Sequence, residues 1–432
     1  MNVYNSVKAS LEKNLPESKH FVVALSGGCD SVVLLHAVSQ YVNENREYTH
    51  SAIHVNHSIS KNALNWEEHC AQLAKSSNCA DFQAVRVDLS GVTSNIEAVA
   101  REARYKALSA RTKSGDLLIT GQHQDDQCES LFLALKRGSG TKGLGGIHEC
   151  RKINHYTLAR PLLNTSRAEI VEYALKHNLE WVEDESNKDD KYDRNFLRNS
   201  IIPHLEDRWN GFSKSVARTA SICRDQEDLL NELLQPIYQS VSENKAYLAH
   251  CPKVSEKANI QLLRMWLNDK GILMPSKLTA TSVINEVTQG KPDSQAQFYL
   301  DNSRALRVFK QRIYLENLQE EVLSNITELH VNTSTQFTTT RFVSLQPSTS
   351  GNLRLPKDNE TVSVRFGYEG VRLNLGHRAV KVKKVLLESD VPSWERNLTP
   401  LIYYNENLAA VGNVAVDEGF HGNELMVVLS QK

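Results

Sequence analysis

The residues Ser26-Gly27-Gly28-Cys29-Asp30-Ser31 are of types, and in an order, that suit chemistry on a phosphate. The preceding "FVVAL" reads as a buried strand and the following "SVVLLHAVSQY" as a helix. Ser26, Gly27 and Gly28 let the backbone approach a ligand, because glycine removes the Cβ that would block it. Asp30 and Ser31 stand at the helix start, where backbone N–H groups favour an anion. The loop is a candidate phosphate cradle. It is not a P-loop, since the lysine is missing, nor the G-x-G-x-x-G of a dinucleotide fold. A Gly-Gly turn alone would serve only to pack strand on helix.

A second group lies in "LITGQHQDDQCESLFLALKRGSGTKGL", 118 to 144. A strand ends at Gly121, and Asp125, Asp126 and Glu129 open the next helix, with Asp126 and Glu129 on one face. Carboxylates there favour the helix itself; at the carboxyl edge of a parallel sheet they can equally hold Mg²⁺ or a substrate ammonium. Lys136, Arg137 and the glycine-rich "GSGTKGLGG" follow, reading as a flexible loop able to close over an anion. In "SNIEAVAREARYKAL", Ser94 and Glu97 have capping-box spacing, and Glu97, Arg101 and Arg104 form one stripe. His54 and His57, at the end of a strand, are assigned no catalytic role.

The elements that must position these groups follow from the texture of the chain. Residues 21 to about 125 alternate β-rich runs with amphipathic helical stretches, the pattern of a parallel sheet wrapped by helices. From 211 the apolar spacing becomes helical, with "AQFYLDNSRALRVFKQRIYLE" closing the segment as strands. A polar stretch from 320 to 360 reads as an interdomain boundary with some edge strands, and a compact β-rich end follows, with one helix near 379 to 388. The expected domains are 1–210 (α/β), 211–320 (mainly helical) and 321–432 (small α+β). With 432 residues, 40% hydrophobic and 23% charged, the composition is that of an ordinary globular protein. The sequence has no run apolar enough for a signal peptide or membrane span, so a cytoplasmic location without a membrane partner is expected. Seven cysteines with no C-x-x-C pair argue against a disulfide framework and a thiolate zinc site. A net charge of −1 means that nucleic-acid binding must rest on local patches. Arg372, His377, Arg378, Lys381, Lys383 and Lys384 form such a patch, a solvated face or a phosphate-backbone footprint.

The S-G-G-x-D-S loop resembles that of the PP-loop ATP pyrophosphatases, which implies an adenine nucleotide alpha hydrolase-like domain with Ser26 through Ser31 at the pyrophosphate of ATP. The block from 121 is similar to the G-H-H-x-D-D-Q-x-E-T and R-G-S-G-x-x-G-L of tRNA(Ile)-lysidine synthetases, differing at Gln122 and Ser130. "HVNHSIS", "EAVAREARY", "EDESNKDDKYDRNFLRNSIIPHLE" and "LLRMWLNDKGILMPS" match further blocks, as does the end, in "AVKVKKVLLESDVPSWERNLTPLI". The resemblance implies that ATP adenylates the C2 carbonyl oxygen of cytidine 34 in the CAU anticodon of tRNA(Ile). The ε-amine of free L-lysine then attacks C2 and expels AMP, switching codon reading from AUG to AUA and identity from Met to Ile.

On that resemblance Arg104 faces the nucleotide or tRNA, and Arg194 and Arg198 neutralise phosphate or stabilise charge during adenylation. Asp30, Asp126 and Glu129 are expected to hold Mg²⁺, Asp30 and Asp126 foremost, and to orient and deprotonate the lysine amine. The last domain, with Arg372, Arg378, Lys381, Lys383 and Lys384, is expected to contact the acceptor stem. The resemblance leaves room for a homodimer. Rival readings are a tRNA 2-thiolation enzyme of the same superfamily, with Cys29 and Cys128 as the site-proximal thiols, an amidating synthetase, and a tRNA-binding protein without catalysis.

Overall fold

The computed structural model describes residues 3–56, 62–88, 96–153, 155–183, 189–242, 246–290, 296–318, 321–323, 326–376 and 378–431. His57, Ser94 and His377, and the side chain of Glu97, lie outside the described residues. The chain forms two compact units, Met1–Glu232 and Leu233–Lys432.

The first unit runs α1 (Val3–Lys13), β1 (His20–Ala24), α2 (Cys29–Glu44), β2 (Thr49–Asn56), α3 (Ala63–Ser76), β3 (Phe82–Arg86), α4 (Ile96–Arg111) and β4 (Leu117–Ile119). It continues through α5 (Gln124–Lys136), α6 (Thr141–Leu144), β5 (Cys150–Ile153), β6 (Tyr156–Ala159), α7 (Arg167–Lys176), α8 (Asp193–Phe196), a π-helical turn over Leu197–Ile201, α9 (Ile202–Arg208) and the larger part of α10 (Phe212–Val241), whose last residues belong to the second unit. The sheet order is β3-β2-β1-β4-β6-β5, parallel except for the antiparallel edge strand β5.

Both faces of the sheet are covered, which is why its central strands read as unbroken apolar runs. Phe21, Val23 and Leu25 of the first strand segment pack with Val32, Val33 and Leu35 of α2. Val22 and Ala24 point the other way, onto Leu108 of α4 with Leu118 and Leu158. The chain leaves β1 toward β2 and β3, then returns to β4 on its other side. The carboxyl ends of β1 and β4 are therefore the switch point, where open α/β sheets bind ligands.

Two sequence expectations change. The run 138–146 is not a flexible loop: it contains α6, the side-chain amide of Gln127 bonds Ile147 N–H and C=O at 2.7 Å each, and Thr141 Oγ1 donates to Glu227 at 2.6 Å. The first unit also extends past 210, because Val216 and Ala220 of α10 pack with Cys128 and Leu131.

In the second unit, helices Glu256–Asp269 and Lys277–Gln289 share a core with a four-stranded sheet, centred on the fully buried Trp266. A separate core holds the five- and three-stranded sheets of the C-terminal part. The polar stretch 320–360 contributes to it. Arg341–Pro347 lies between two strands and pairs along its length with Leu425–Gln431; Val343 and Leu345 are buried, and its polar residues give the other face its composition. The helix expected over 379–388 is Val382–Glu388, because Arg378–Lys381 pairs with Arg372–Leu375 as a hairpin. Among the described residues no helix is long and apolar enough to cross a membrane.

Gly27 has φ +85°, and a Cβ there would meet Val182 Cγ2 at 3.0 Å and Cys70 Sγ at 3.1 Å. Gly27→Ala is expected to cost about 1–3 kcal/mol of stability through backbone strain and overpacking, read as a lower urea midpoint at unchanged m.

Candidate active site

At the end of β1 the backbone turns through Ser26, Gly27 and Gly28 into α2. Ser31 holds this turn shut: its hydroxyl accepts from Ser26 N–H at 3.1 Å and donates to Gly28 C=O at 2.9 Å. Gly28 is the N-cap, and no side-chain oxygen caps α2. Ser31 N–H bonds Gly28 C=O at 3.0 Å, and no side chain caps the amides of Cys29 and Asp30 at the start of the helix. His54 is structural. Its ring Nδ1 lies 2.9 Å from Leu25 C=O, which fixes the proton on Nδ1, and burial lowers its pKa.

The second group begins where β4 ends. His123 caps α5: its Nδ1 accepts from Asp125 N–H at 3.3 Å, while Asp126 accepts from His123 N–H at 3.0 Å. That arrangement leaves the ring proton on Nε2, which lies 3.6 Å from Asp126 Oδ2 and 3.8 Å from Asp30 Oδ2. His123 thus stands between the carboxylate of the loop and the carboxylate of α5. Asp30 is also paired with Arg167, the first residue of α7.

Glu129 is separated from the other two carboxylates by an arginine. It is fully buried, with Arg198 Nε 2.7 Å from one oxygen and Arg194 Nε 3.1 Å from the other. Arg198 reaches past it to Asp126 Oδ1 at 3.0 Å. Arg194 of α8 and Arg198 of the π-helical turn, four residues apart, both face Glu129. Burial opposes ionisation of both acids, with different results. At Asp126, His123 and Arg198 overcome it and hold the pKa below the usual carboxylate value. At Glu129 burial prevails, aided by Asp126, and the pKa is raised. Burial also disfavours charge on Arg198, but Glu129 and Asp126 together raise its pKa.

Asp30, Asp126, Glu129, Arg194 and Arg198 are therefore brought together, and Arg104 acts on Asp126 electrostatically. Arg372, Arg378, Lys381, Lys383 and Lys384 belong to the second unit, where all five are exposed. His123 and Arg167 were not singled out in the sequence. Arg167 carried a signal: a cation in the first turn of a helix opposes the helix dipole, so it needs a compensating partner, here Asp30.

Mg²⁺ takes oxygen ligands and is commonly held by one or two carboxylates together with substrate phosphates. Asp30 and Asp126, flanking His123 beside the cradle, fit that use. No group of three or more His, Cys, Asp or Glu placed to hold a metal occurs among the described residues. The donor set thus suits a cation that arrives with a nucleotide, rather than a caged one.

Neither site-proximal thiol suits sulfur chemistry. Cys29 and Cys128 are buried; burial raises both pKa values, that of Cys128 to about 12.

Family models match three segments of the chain: a PP-loop domain over residues 2–205, a TilS substrate binding domain over 257–314 and a TilS substrate C-terminal domain over 362–428. The chain is 41% identical to the tRNA(Ile)-lysidine synthase of Photobacterium profundum over 429 residues, covering 98% of each. It is 36% identical to that of Photorhabdus laumondii, covering 99% of this chain and 98% of the relative. Identity to that of Haemophilus influenzae is also 36%, over 95% and 98%. With its loop, its carboxylates and these full-length relatives in agreement, the chain belongs to the tRNA(Ile)-lysidine synthase family.

Proposed function

We propose that this chain is a cytoplasmic ligase that uses ATP to join free L-lysine to C2 of cytidine 34 in the CAU anticodon of tRNA(Ile). The observation that carries the reading is the convergence of the uncapped cradle with Asp30, His123, Asp126 and Arg198 at the switch point of the sheet.

In this reading Ser26 through Ser31 hold the pyrophosphate of ATP through backbone N–H groups. The cytidine leaves its loop stack and presents its C2 oxygen to the α-phosphorus. The oxygen–phosphorus bond forms and pyrophosphate departs; the lysine nitrogen then bonds to C2, and the oxygen leaves with AMP. Asp30 and Asp126 would hold Mg²⁺ with the phosphates. When bound, Mg²⁺ neutralises phosphate charge and eases departure of the leaving group.

The lysine amine, with a free pKa near 10.4, must lose a proton before attack. Asp126 stays ionised at neutral pH, so it attracts and orients the ammonium and relays the released proton to solvent water rather than retaining it. Glu129, buried behind Arg198, serves by holding Arg194 and Arg198 in place, where their charge can meet the adenylated oxygen. The second unit, residues 233–432, would bind the tRNA.

Labelled lysine should enter tRNA(Ile) bearing CAU only with ATP, and Asp126→Ala should lower the rate by about 100-fold or more. Pyrophosphate release by the wild type without labelling would show that the cradle is right and the acceptor wrong. Glu129→Ala should cost about 3 kcal/mol in urea unfolding, because two guanidiniums lose their buried counter-charge. Neutralising Lys381, Lys383 and Lys384 together should weaken tRNA binding and flatten its salt dependence. An unchanged slope would remove the patch from the interface.

A further inference from the structure

Within the second unit, the middle part around Trp266 and the C-terminal part share no sheet and no hydrophobic core among the described residues. The chain passes from one to the other between Asn317 and Ile326. A cleft of about 860 Å³ lies between them, with Arg304 and Glu316 on one side and Arg341 and Glu395 on the other. Beside that cleft an indole crosses from the C-terminal part to the middle one. The ring centre of Trp394 is 6.2 Å from that of Phe309 and 5.7 Å from that of Tyr314, both edge-on. The Arg307 guanidinium lies 5.4 Å from the same ring centre, and Lys310 forms an ion pair with Asp390.

Each side of this joint is fixed before the two meet. In the strands Arg304–Phe309 and Arg312–Asn317, Leu306, Val308 and Ile313 enter the core of the helices, so Arg307, Phe309 and Tyr314 stand on the other face of the sheet. Arg307 is directly opposite Tyr314, and its Nε donates to Glu316 at 2.8 Å, which sets the guanidinium against the indole. The turn that carries Trp394 is held by Arg396, whose Nε donates to Val391 C=O at 3.0 Å. Arg341 pairs with Glu395 in the same turn, Nη2 to Oε1 at 3.0 Å. The basic hairpin and the helix Val382–Glu388 lead into it, and Val391 packs on their shared core of Leu373, Val382 and Leu386. Where the indole docks therefore decides where the hairpin stands.

We propose that Trp394 is a positioning residue. Docked on the face of the four-stranded sheet turned away from its helices, it fixes the basic hairpin relative to the middle part, so that one tRNA meets both surfaces at once. This rests on the reading that the second unit binds tRNA. Two surfaces on one rigid body engage together, whereas two on a loose tether lose effective concentration for the second contact. The ion pair does not suffice for this, because the side chains of Lys310 and Asp390 are 39% and 52% exposed and such pairs contribute little. The indole supplies the apolar area and the ring face that the ion pair lacks. Trp394 takes no part in a bond-making step, so its effect falls on tRNA binding and not on turnover.

The test compares the full-length wild type with Trp394→Ala, Trp394→Phe and Tyr314→Ala, the last loosening the joint from the sheet side. A carbodiimide, which condenses a touching amine and carboxylate into an amide, should link Lys310 to Asp390 in the free wild type. Peptide mass spectrometry should find that link several-fold weaker in both alanine variants and retained in Trp394→Phe. In lysine ligation the alanine variants should raise KM for tRNA(Ile) bearing CAU roughly tenfold, with kcat and KM for ATP unchanged, and Trp394→Phe should restore most of the loss. A link undiminished in both alanine variants would overturn the assignment, since the joint then holds without the indole and any change in KM is a direct contact of the ring with RNA. An unchanged KM for tRNA would overturn it equally. A wild type that forms the link but ligates no lysine defeats the functional reading alone, and direct tRNA affinities of the four proteins then decide the positioning role.

Discussion

The site depends on a carboxylate that has no access to water. Glu129 is fully buried, and a desolvated anion persists only if charge is brought to it. Arg194 and Arg198 bring it, which ties the segment after α8 to α5 and sets the direction from which Arg198 reaches Asp126. From Asp126 the alternation of acid and base continues through His123 to Asp30 and Arg167. One buried charge thereby aligns groups from α2, α5, α7 and the π-helical turn.

The same alternation divides the labour between the two acids of α5. They lie three residues apart on one helix and share Arg198, yet Asp126 is held below its usual pKa and Glu129 above it. The difference is geometric. Asp126 receives a backbone N–H and faces His123, whereas Glu129 has the greater loss of hydration and a neighbouring carboxylate to repel it. Environments that push paired acids apart are a common route to distinct roles. Here the group nearer the cradle remains an anion, and the group behind it acts through the arginines.

What the sequence revealed was mostly local. The cradle is complete within a few residues, and Asp126 and Glu129 share a face through helical spacing alone, so both were visible without a structure. Parallel-sheet topology was also legible, because strands buried on two faces leave unbroken apolar runs. The partners of these groups were not. Arg167 meets Asp30 across 137 positions, and Arg198 meets Glu129 across 69. His123 lay beside the conspicuous carboxylates, but its function depends on which nitrogen the cap occupies. The glycine-rich run misled for a related reason: its order comes from Gln127 and Glu227, neither of which is in the run. Arg341–Pro347 was obscured by composition, since Arg341, Ser344 and Gln346 interrupt its apolar residues while Val343 and Leu345 enter the core.

Positive charge is concentrated where folding alone would disperse it. In the C-terminal hairpin Arg372 stands directly opposite Lys381, a cross-strand arrangement that like charges disfavour. Nothing in the sheet or the helices requires cations at these positions, and with a net charge of −1 the chain has acids enough to have paired them. Such a pair weakens the free protein slightly, and on the function proposed above a phosphate of the tRNA would relieve its repulsion. The acids are instead committed at the catalytic edge, where Asp30, Asp126 and Glu129 each hold an arginine. The chain therefore sets arginines balanced by carboxylates at that edge apart from the like-charged pair Arg372 and Lys381 of the hairpin.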